Sequence, residues 1–186
     1  MTGAPTAETQ RAILATAEIS EGEKLARVEP RAIARRITHL TWIKKVEISR
    51  NWISGKVGVT VTPRKPIAYF NSATIDASGT VFTLPGFAGA DLPRVSAATP
   101  QLGLSAISLF RGLPYDFRSK VLSLSAHNDS NFAMQISVDG RELRILWGKN
   151  EKSELKIQVI KALTALEENQ NIRRIDVSAP HAPIVK

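Results

Sequence analysis

The sequence contains no cysteine and three histidines in 186 residues. Without cysteine the chain forms neither a disulfide framework nor a thiolate metal site, and the redox compartment stays undecided. The histidines, His39, His127 and His181, stand far apart and lack metal-ligand spacing. No apolar run reaches the roughly 18 residues that a membrane span needs, and the N-terminus lacks the pattern of a secretory signal.

Motifs that carry chemistry are also missing. There is neither a glycine-rich phosphate loop nor a GxGxxG sequence, and no paired carboxylates or nucleophile cluster stand out. The triplet His127-Asn128-Asp129 is typical of a turn and not of a metal site. We therefore predict no catalytic residue, no metal, no cofactor and no small-molecule substrate.

What the sequence does have is positive charge and enough apolar residues for a core. The formal net charge is +8 and 43% of the residues are hydrophobic. A basic balance fits a nucleic acid, an anionic membrane surface or a polyanionic wall polymer, and charge does not choose among them. Three tryptophans, Trp42, Trp52 and Trp147, are predicted to pack in cores or at domain edges and not to stack on bases.

The first third of the chain predicts two helices followed by a strand hairpin. Thr6 is a candidate cap for a helix that ends near Gly22, with Ile13, Leu14 and Ala17 on its apolar side. Pro30 begins a second helix whose apolar positions are Ile33, Ile37 and Leu40. The next two segments alternate with a period of two, which predicts a hairpin in which Val46 faces Val59 and Ile48 faces Val57.

The remainder is rich in short strands. A type I′ turn at Asp139-Gly140 predicts a hairpin with the pairs Ile136/Leu143, Met134/Ile145 and Phe132/Trp147. A helix follows, with a predicted buried face of Leu155, Val159, Ala162, Leu163 and Leu166 and its lysines in solvent. The last strand runs from Ile172 to about Ser178 and is interrupted by Pro180 and Pro183, which is typical of a sheet edge.

These elements predict an α+β fold with two domains. Residues 1–65 form a small domain of two helices on a short sheet, and residues 66–186 form a mostly antiparallel β domain with a covering helix. The prolines between positions 63 and 66 mark the junction.

Seven segments, in order, carry a resemblance to a known family. They are EGEKLARVEPRAIARRI, LTWIKKVEISRNW, VTVTPRKPIAYF, IDASGTVF, LPRV, VDGRELRILWG and IDVSAPHAPIVK. Together they resemble the extracytoplasmic region of the bacterial cell-division family FtsQ (DivIB), in which a POTRA domain precedes a β domain. The style of both ends is similar to actinobacterial members. The chain departs from the family at Pro63, where Glu is usual, and at RNWIS, where Arg-x-Trp-Pro is usual.

The resemblance implies a non-enzymatic divisome scaffold at the septum. Its implied partners are FtsB- and FtsL-type division proteins, and its implied role is control of septal peptidoglycan synthesis. It also implies a single-pass membrane protein with this region outside the cytoplasm. The transmembrane helix would lie upstream, and only Thr2 and Gly3 of the first POTRA strand would remain in this sequence.

The same resemblance places the partner site at the C-terminal strand. We expect an incoming strand to add to this edge and its acidic groups to pair with arginines. The predicted site comprises Ile172, Arg173, Arg174, Ile175, Asp176, Val177, Ser178, Ala179, Pro180 and His181. Alternatively, the prolines only protect a bare edge from aggregation. Other classes of function are a basic nucleic-acid-binding module, a POTRA-bearing secretion or assembly protein, and a wall-polymer enzyme.

Overall fold

The computed structural model describes residues 1–87, 89 and 91–186. The chain forms two compact units, Met1–Pro66 with Val81–Ala90, and Ile67–Thr80 with Asp91–Lys186. Residues 81–87 thus group with the first unit.

Helices and strands are numbered in chain order. The helices are α1 Ala7–Ala17, α2 Pro30–Thr38, α3 Pro100–Gly112, α4 Tyr115–Arg118 and α5 Ser153–Ala165. The strands of the first half are β1 Ile43–Asn51, β2 Lys56–Pro63, β3 Pro66–Phe70, β4 Ala73–Asp76 and β5 Val81–Phe82. Those of the second half are β6 Arg94–Ala97, β7 Val121–Asn128, β8 Asn131–Val138, β9 Arg141–Gly148, β10 Arg174–Asp176 and β11 Ile184–Val185. The two units together confirm the predicted α+β fold class.

In the first unit, α1 begins at a reciprocal cap. The Thr6 hydroxyl accepts from the Thr9 amide at 3.1 Å, and the Thr9 hydroxyl accepts from the Thr6 amide at 2.9 Å. The helix ends at Ala17, because Glu18 takes a left-handed conformation with φ of 50°, so the predicted end at Gly22 is wrong. Leu14 is 51% exposed and does not belong to the buried face.

Loss of this cap has a measurable consequence for the first unit. We expect Thr6→Ala to lower its free energy of unfolding by about 1 kcal/mol, because the Thr9 amide at the helix start loses its side-chain acceptor. Thr6→Asp keeps a capping oxygen and should cost a few tenths of that. Chemical denaturation followed by circular dichroism measures both variants. Equal losses for the two would show that the cap does not act through its side-chain oxygen.

The core of this unit lies between the helices and the hairpin of β1 and β2. Its buried residues are Ile13, Ala17, Val28, Ile33, Ile37, Trp42, Ile43, Val59, Val61 and Phe82. Thr2 adds a parallel bridge to β2, with its amide bonded to the Val59 carbonyl and its carbonyl to the Val61 amide. Two helices on this short sheet are the arrangement that the sequence predicted.

The hairpin register differs from the prediction. Val46 pairs with Val61 and Ile48 with Val59, so each pair lies two positions further along β2 than expected. The cause is the turn: Asn51 stays in the ladder opposite Lys56, and its side-chain oxygen accepts from the Ile53 and Ser54 amides at 3.1 and 3.0 Å. A shift of two keeps the same side chains on the covered face.

Trp52, in this turn, is not packed as predicted. Its side chain is 63% exposed, with the Arg50 guanidinium 5.0 Å from its ring centroid, and the next residue, Ile53, is 100% exposed. Trp42 and Trp147 are buried, as predicted. The tip of the hairpin therefore presents two apolar side chains to solvent.

The second unit is built on one sheet with the strand order β11-β10-β9-β8-β7-β6-β3-β4. Pairing is antiparallel for β7/β8, β8/β9 and β10/β11 and parallel for β3/β6, β6/β7 and β9/β10. Two of the parallel pairs are joined through helices, α3 and α4 between β6 and β7 and α5 between β9 and β10. Such crossovers are how parallel neighbours connect, and the sheet is consequently mixed.

The β8/β9 hairpin follows the predicted turn. Asp139 and Gly140 both have positive φ, 51° and 75°, as a type I′ turn requires. Ile136 faces Leu143 and Met134 faces Ile145, as predicted. The third pair is wrong, because a bulge places Gly148, and not Trp147, opposite Phe132.

The buried face of helix α5 is rotated from the predicted one, whose members Leu155, Val159 and Leu163 are half-buried. Its buried residues are Lys156, Ile157 and Ile160, whereas Ala162 is exposed and Leu166 is 44% exposed. Lys156 is only 1% exposed, and its ammonium donates to the carbonyls of Trp147 at 2.8 Å and Lys149 at 2.7 Å. Burial lowers the pKa of the Lys156 ammonium, and the Glu151 carboxylate partly opposes this shift. The expectation that every lysine of this helix lies in solvent is therefore wrong.

Candidate partner-binding site

The predicted site segment, residues 172–181, follows α5 and a 3₁₀ turn at Glu167–Asn169. Only its centre is a strand, β10. Ile175, Val177 and Pro180 are buried, whereas Ile172, Arg174 and Asp176 are half-buried and Arg173, Ser178, Ala179 and His181 are exposed. The structure brings the ten residues together as a short strand and the turn after it.

The prediction that this strand forms the sheet edge is wrong. On one side β10 pairs in parallel with β9, and the Val177 amide bonds to the Leu146 carbonyl at 2.9 Å. On its other side β10 pairs with β11, with the amides of Arg173 and Arg174 bonded to the Lys186 carbonyl at 2.8 and 2.9 Å. The chain turns after Pro180, and residues beyond Pro183 supply the missing strand.

The outer strand of this end of the sheet is therefore β11. Arg174 and Lys186 form the hydrogen-bonded pair of the β10/β11 ladder, and Ile175 faces the next residue, Val185. In an antiparallel ladder the neighbouring pair directs its amide and carbonyl outward, so those of Val185 point away from β10. Ile184 is 55% exposed beside them. The edge open to another strand is thus two residues long.

Ser178 does not offer a free amide to a partner. Its amide and hydroxyl both donate to Oδ1 of Asp176, at 2.9 and 2.7 Å. This is a local turn of the kind that aspartate favours. Replacing Ser178 with proline would break that turn before it removed any edge contact.

The turn lies tightly against the end of β9. Gly148 has φ of 73°, and a side-chain carbon at this position would lie 2.7 Å from Cβ and 2.9 Å from Cα of Ser178. Only glycine fits both the backbone conformation and the space. A surface cavity of about 370 Å³ opens beside this contact, lined by Asn128, Ser130, Asn131, Leu146, Gly148, Asp176 and Ser178.

The site is basic. Arg144 stands opposite Arg174 in the β9/β10 register, and Arg173 and Lys186 are exposed next to them. The one carboxylate of β10, on Asp176, already accepts from Ser178. Within the part of the chain that the structure describes, these arginines form no ion pair with an acidic side chain. Their charge is available to an acidic segment of another molecule.

Neither a candidate metal-binding group nor a membrane-spanning helix occurs among the described residues. Among residues 1–87, 89 and 91–186, no group of three or more histidine, aspartate or glutamate side chains could hold a metal ion. No helix in the same described ranges has both the length and the apolar character needed to cross a membrane.

Sequence reasoning missed two residues of this region. Val185 lies in a strand too short to show a period of two. Gly148 is the last residue of β9, and nothing in the sequence around it indicates the close contact with Ser178. The only signal for either was the pair of prolines, which indicated that the chain turns before it ends.

Both units match domains of one class of protein. Residues 1–64 match the POTRA domain, FtsQ-type, and residues 68–178 match the C-terminal domain of cell division protein FtsQ/DivIB. A POTRA domain followed by this C-terminal domain defines a class of bacterial cell-division proteins.

The chain belongs to the FtsQ/DivIB family, since the C-terminal family domain alone covers more than half of it. This confirms the resemblance seen in the sequence. A curated relative, the cell division protein FtsQ of Salinibacter ruber (strain DSM 13855 / M31), is 31% identical over 85 residues. The alignment covers 42% of this chain and 33% of the relative, so the chain spans about a third of that protein.

Proposed function

We propose that this chain is the extracytoplasmic part of a single-pass, non-enzymatic scaffold of the division septum. Its partners are FtsB- and FtsL-type division proteins, and through them it helps control septal peptidoglycan synthesis. The observation that carries the proposal is the match of both family domains in their family order. We also propose 1–65 and 66–186 as the two domains.

The proposed docking surface is the C-terminal end of the sheet, comprising the segment 172–181 together with β11. A partner strand adds to the outer edge of β11, where the Val185 amide and carbonyl point outward. Because this edge is short, backbone pairing alone is weak. The exposed Arg173 and the half-buried Arg174 supply the rest by pairing with acidic side chains of the partner.

Two variants test this surface. Arg173→Glu should weaken binding of an FtsB-type extracytoplasmic peptide about tenfold at low salt, and the loss should shrink as salt is added. Val185→Pro removes one outward amide and should weaken binding at every salt concentration. Lys161→Glu makes the same charge change on the exposed face of α5 and is the matched control.

Isothermal titration calorimetry measures the three affinities, and circular dichroism verifies that each variant is folded. Parent-like binding by both folded site variants would place docking elsewhere. If Lys161→Glu lowered the affinity as much as Arg173→Glu, the effect would come from net charge and not from a contact at the proposed site. Turnover of a peptidoglycan substrate that a point substitution abolishes would contradict the non-enzymatic role.

A further inference from the structure

The tip of the β1/β2 hairpin exposes two large apolar residues between two cations. Ile53 is 100% exposed and Trp52 is 63% exposed, while Arg50 and Lys56 flank them and residues 50–56 contain no acidic residue. Asn51 and Gly55 shape this turn through a side-chain acceptor and a positive φ. The side chain of Ile53, which is fully exposed, adds no packing to the hairpin.

Hydrogen bonds and a ring contact support the tip. Asn51 accepts from two amides of the turn, and Gly55 takes a positive φ of 67°. The Arg50 guanidinium donates to the Val28 carbonyl at 3.2 Å and lies over the Trp52 ring. Trp52 and Ile53 consequently project from a turn that the rest of the hairpin supports through hydrogen bonds.

The direction of the chain at Thr2 relates the hairpin tip to the segment that precedes Thr2. Thr2 bridges Thr60 in parallel, so the chain before Thr2 runs back along β2 toward Lys56. At about 3.3 Å per residue, Thr60 lies only about 13 Å from the Lys56 end of the strand. A membrane span upstream of Thr2 would therefore place the bilayer on the side of the tip.

We propose that Trp52 and Ile53 insert into the interface of an anionic phospholipid bilayer, with Arg50 and Lys56 at the level of the headgroups. The orientation rests on the proposed single-pass topology. The affinity for lipid does not depend on that topology, because tryptophan prefers the membrane–water interface and cations are attracted to anionic lipid. Two apolar side chains give shallow, reversible contact, which a covalently attached span would make effective by raising the local concentration.

Tryptophan fluorescence tests the proposal on the chain as it stands. Trp42 and Trp147 are 3% and 0% exposed, so a quencher in the bilayer reaches Trp52 alone. The chain is titrated with vesicles of phosphatidylglycerol and phosphatidylcholine that carry bromine on their acyl chains. We expect saturable quenching of the Trp52 emission, weaker with phosphatidylcholine alone.

Substitutions assign the contact to the tip. Ile53→Asp should lower the apparent partition coefficient about tenfold, whereas Leu14→Asp, the same change at an exposed leucine of α1, should leave it unchanged. Lys56→Gln should lower it about threefold at low salt and hardly at high salt. Lys44→Gln, at the other end of the hairpin, is its control.

Absence of quenching at millimolar lipid would overturn the proposal, as would equal losses with Ile53→Asp and Leu14→Asp. A shift of Trp52 emission caused by a division-protein domain, without any by vesicles, would make the tip a protein contact instead. Vesicle binding requires no partner, and Ile53→Asp should leave peptide binding at β11 unchanged. The two proposals therefore fail independently.

Discussion

Replacing Lys156 with alanine is expected to lower the free energy of unfolding of the second unit by about 2–4 kcal/mol. The substitution removes three buried methylene groups, at about 0.8 kcal/mol each. It also leaves the Trp147 and Lys149 carbonyls without their donor. Relief of the buried ammonium offsets part of this loss.

Chemical denaturation with Lys161→Ala as the control measures the effect. Lys161 is exposed on the same helix, so its loss should stay within about 0.5 kcal/mol. Lys156→Met retains most of the packing and should cost about 1 kcal/mol. If alanine at 156 costs no more than alanine at 161, neither the buried stem nor the two carbonyl contacts of Lys156 stabilise the second unit.

The lowered pKa of Lys156 should also make the free energy of unfolding depend on pH. Because burial lowers this pKa below its ordinary value of 10.5, the folded chain binds fewer protons than the unfolded chain between the two values. In that window, the stability of the parent should rise with pH relative to Lys156→Met. Below both pKa values the difference should be constant. A parent that loses stability relative to Lys156→Met on entering this window would show that the pKa is not lowered.

Gly148→Ala is expected to destabilise the second unit by about 2–4 kcal/mol and to disturb the candidate site. Alanine strains the positive φ by about 1 kcal/mol, and its Cβ would meet Cα and Cβ of Ser178 at less than 3 Å. Relief requires the turn of residues 177–181 to move away from β9. Both the stability and the position of the partner edge should therefore change.

Gly140→Ala is the matched control, because Gly140 has φ of 75° and open space around its Cα. It should show the strain alone. Thermal unfolding compares the stabilities, and amide chemical shifts of residues 174–186 report the displacement. Equal destabilisation with no shift changes at Ser178 would show that alanine fits at position 148 without displacing the turn.

Local chemistry predicted much of the fold. Thr6 as a cap and Asp139-Gly140 as a turn depend only on near neighbours, and both are as expected. The predictions failed where the structure depends on contacts between residues that are distant in sequence. α5 carries apolar residues in several directions, so its sequence could not fix which face the sheet would bury, and a lysine with a long apolar stem was counted as polar.

The partner site at residues 172–181 stays a prediction, and the structure of this segment differs from the expected edge strand. The prolines correctly marked a turn near the end of the chain, whereas the returning β11 is too short for any periodic pattern. Parallel pairing of β9 with β10 also leaves no local signal, because it depends on the α5 crossover. The exposure of Trp52 and Ile53 was also not predictable, because it depends on how the hairpin tip lies relative to the helices and not on the local sequence.

The parallel bridge of Thr2 has a consequence for the order of folding. The amide and carbonyl of Thr2 pair with residues almost 60 positions later, whereas α1, α2 and the hairpin form from near neighbours. Contacts of such sequence separation are slow to form, because a long loop must close first. During synthesis, Thr2 stays unpaired until β2 has emerged. A stall before that point should leave the first unit without this bridge and the segment around Thr2 open to proteolysis.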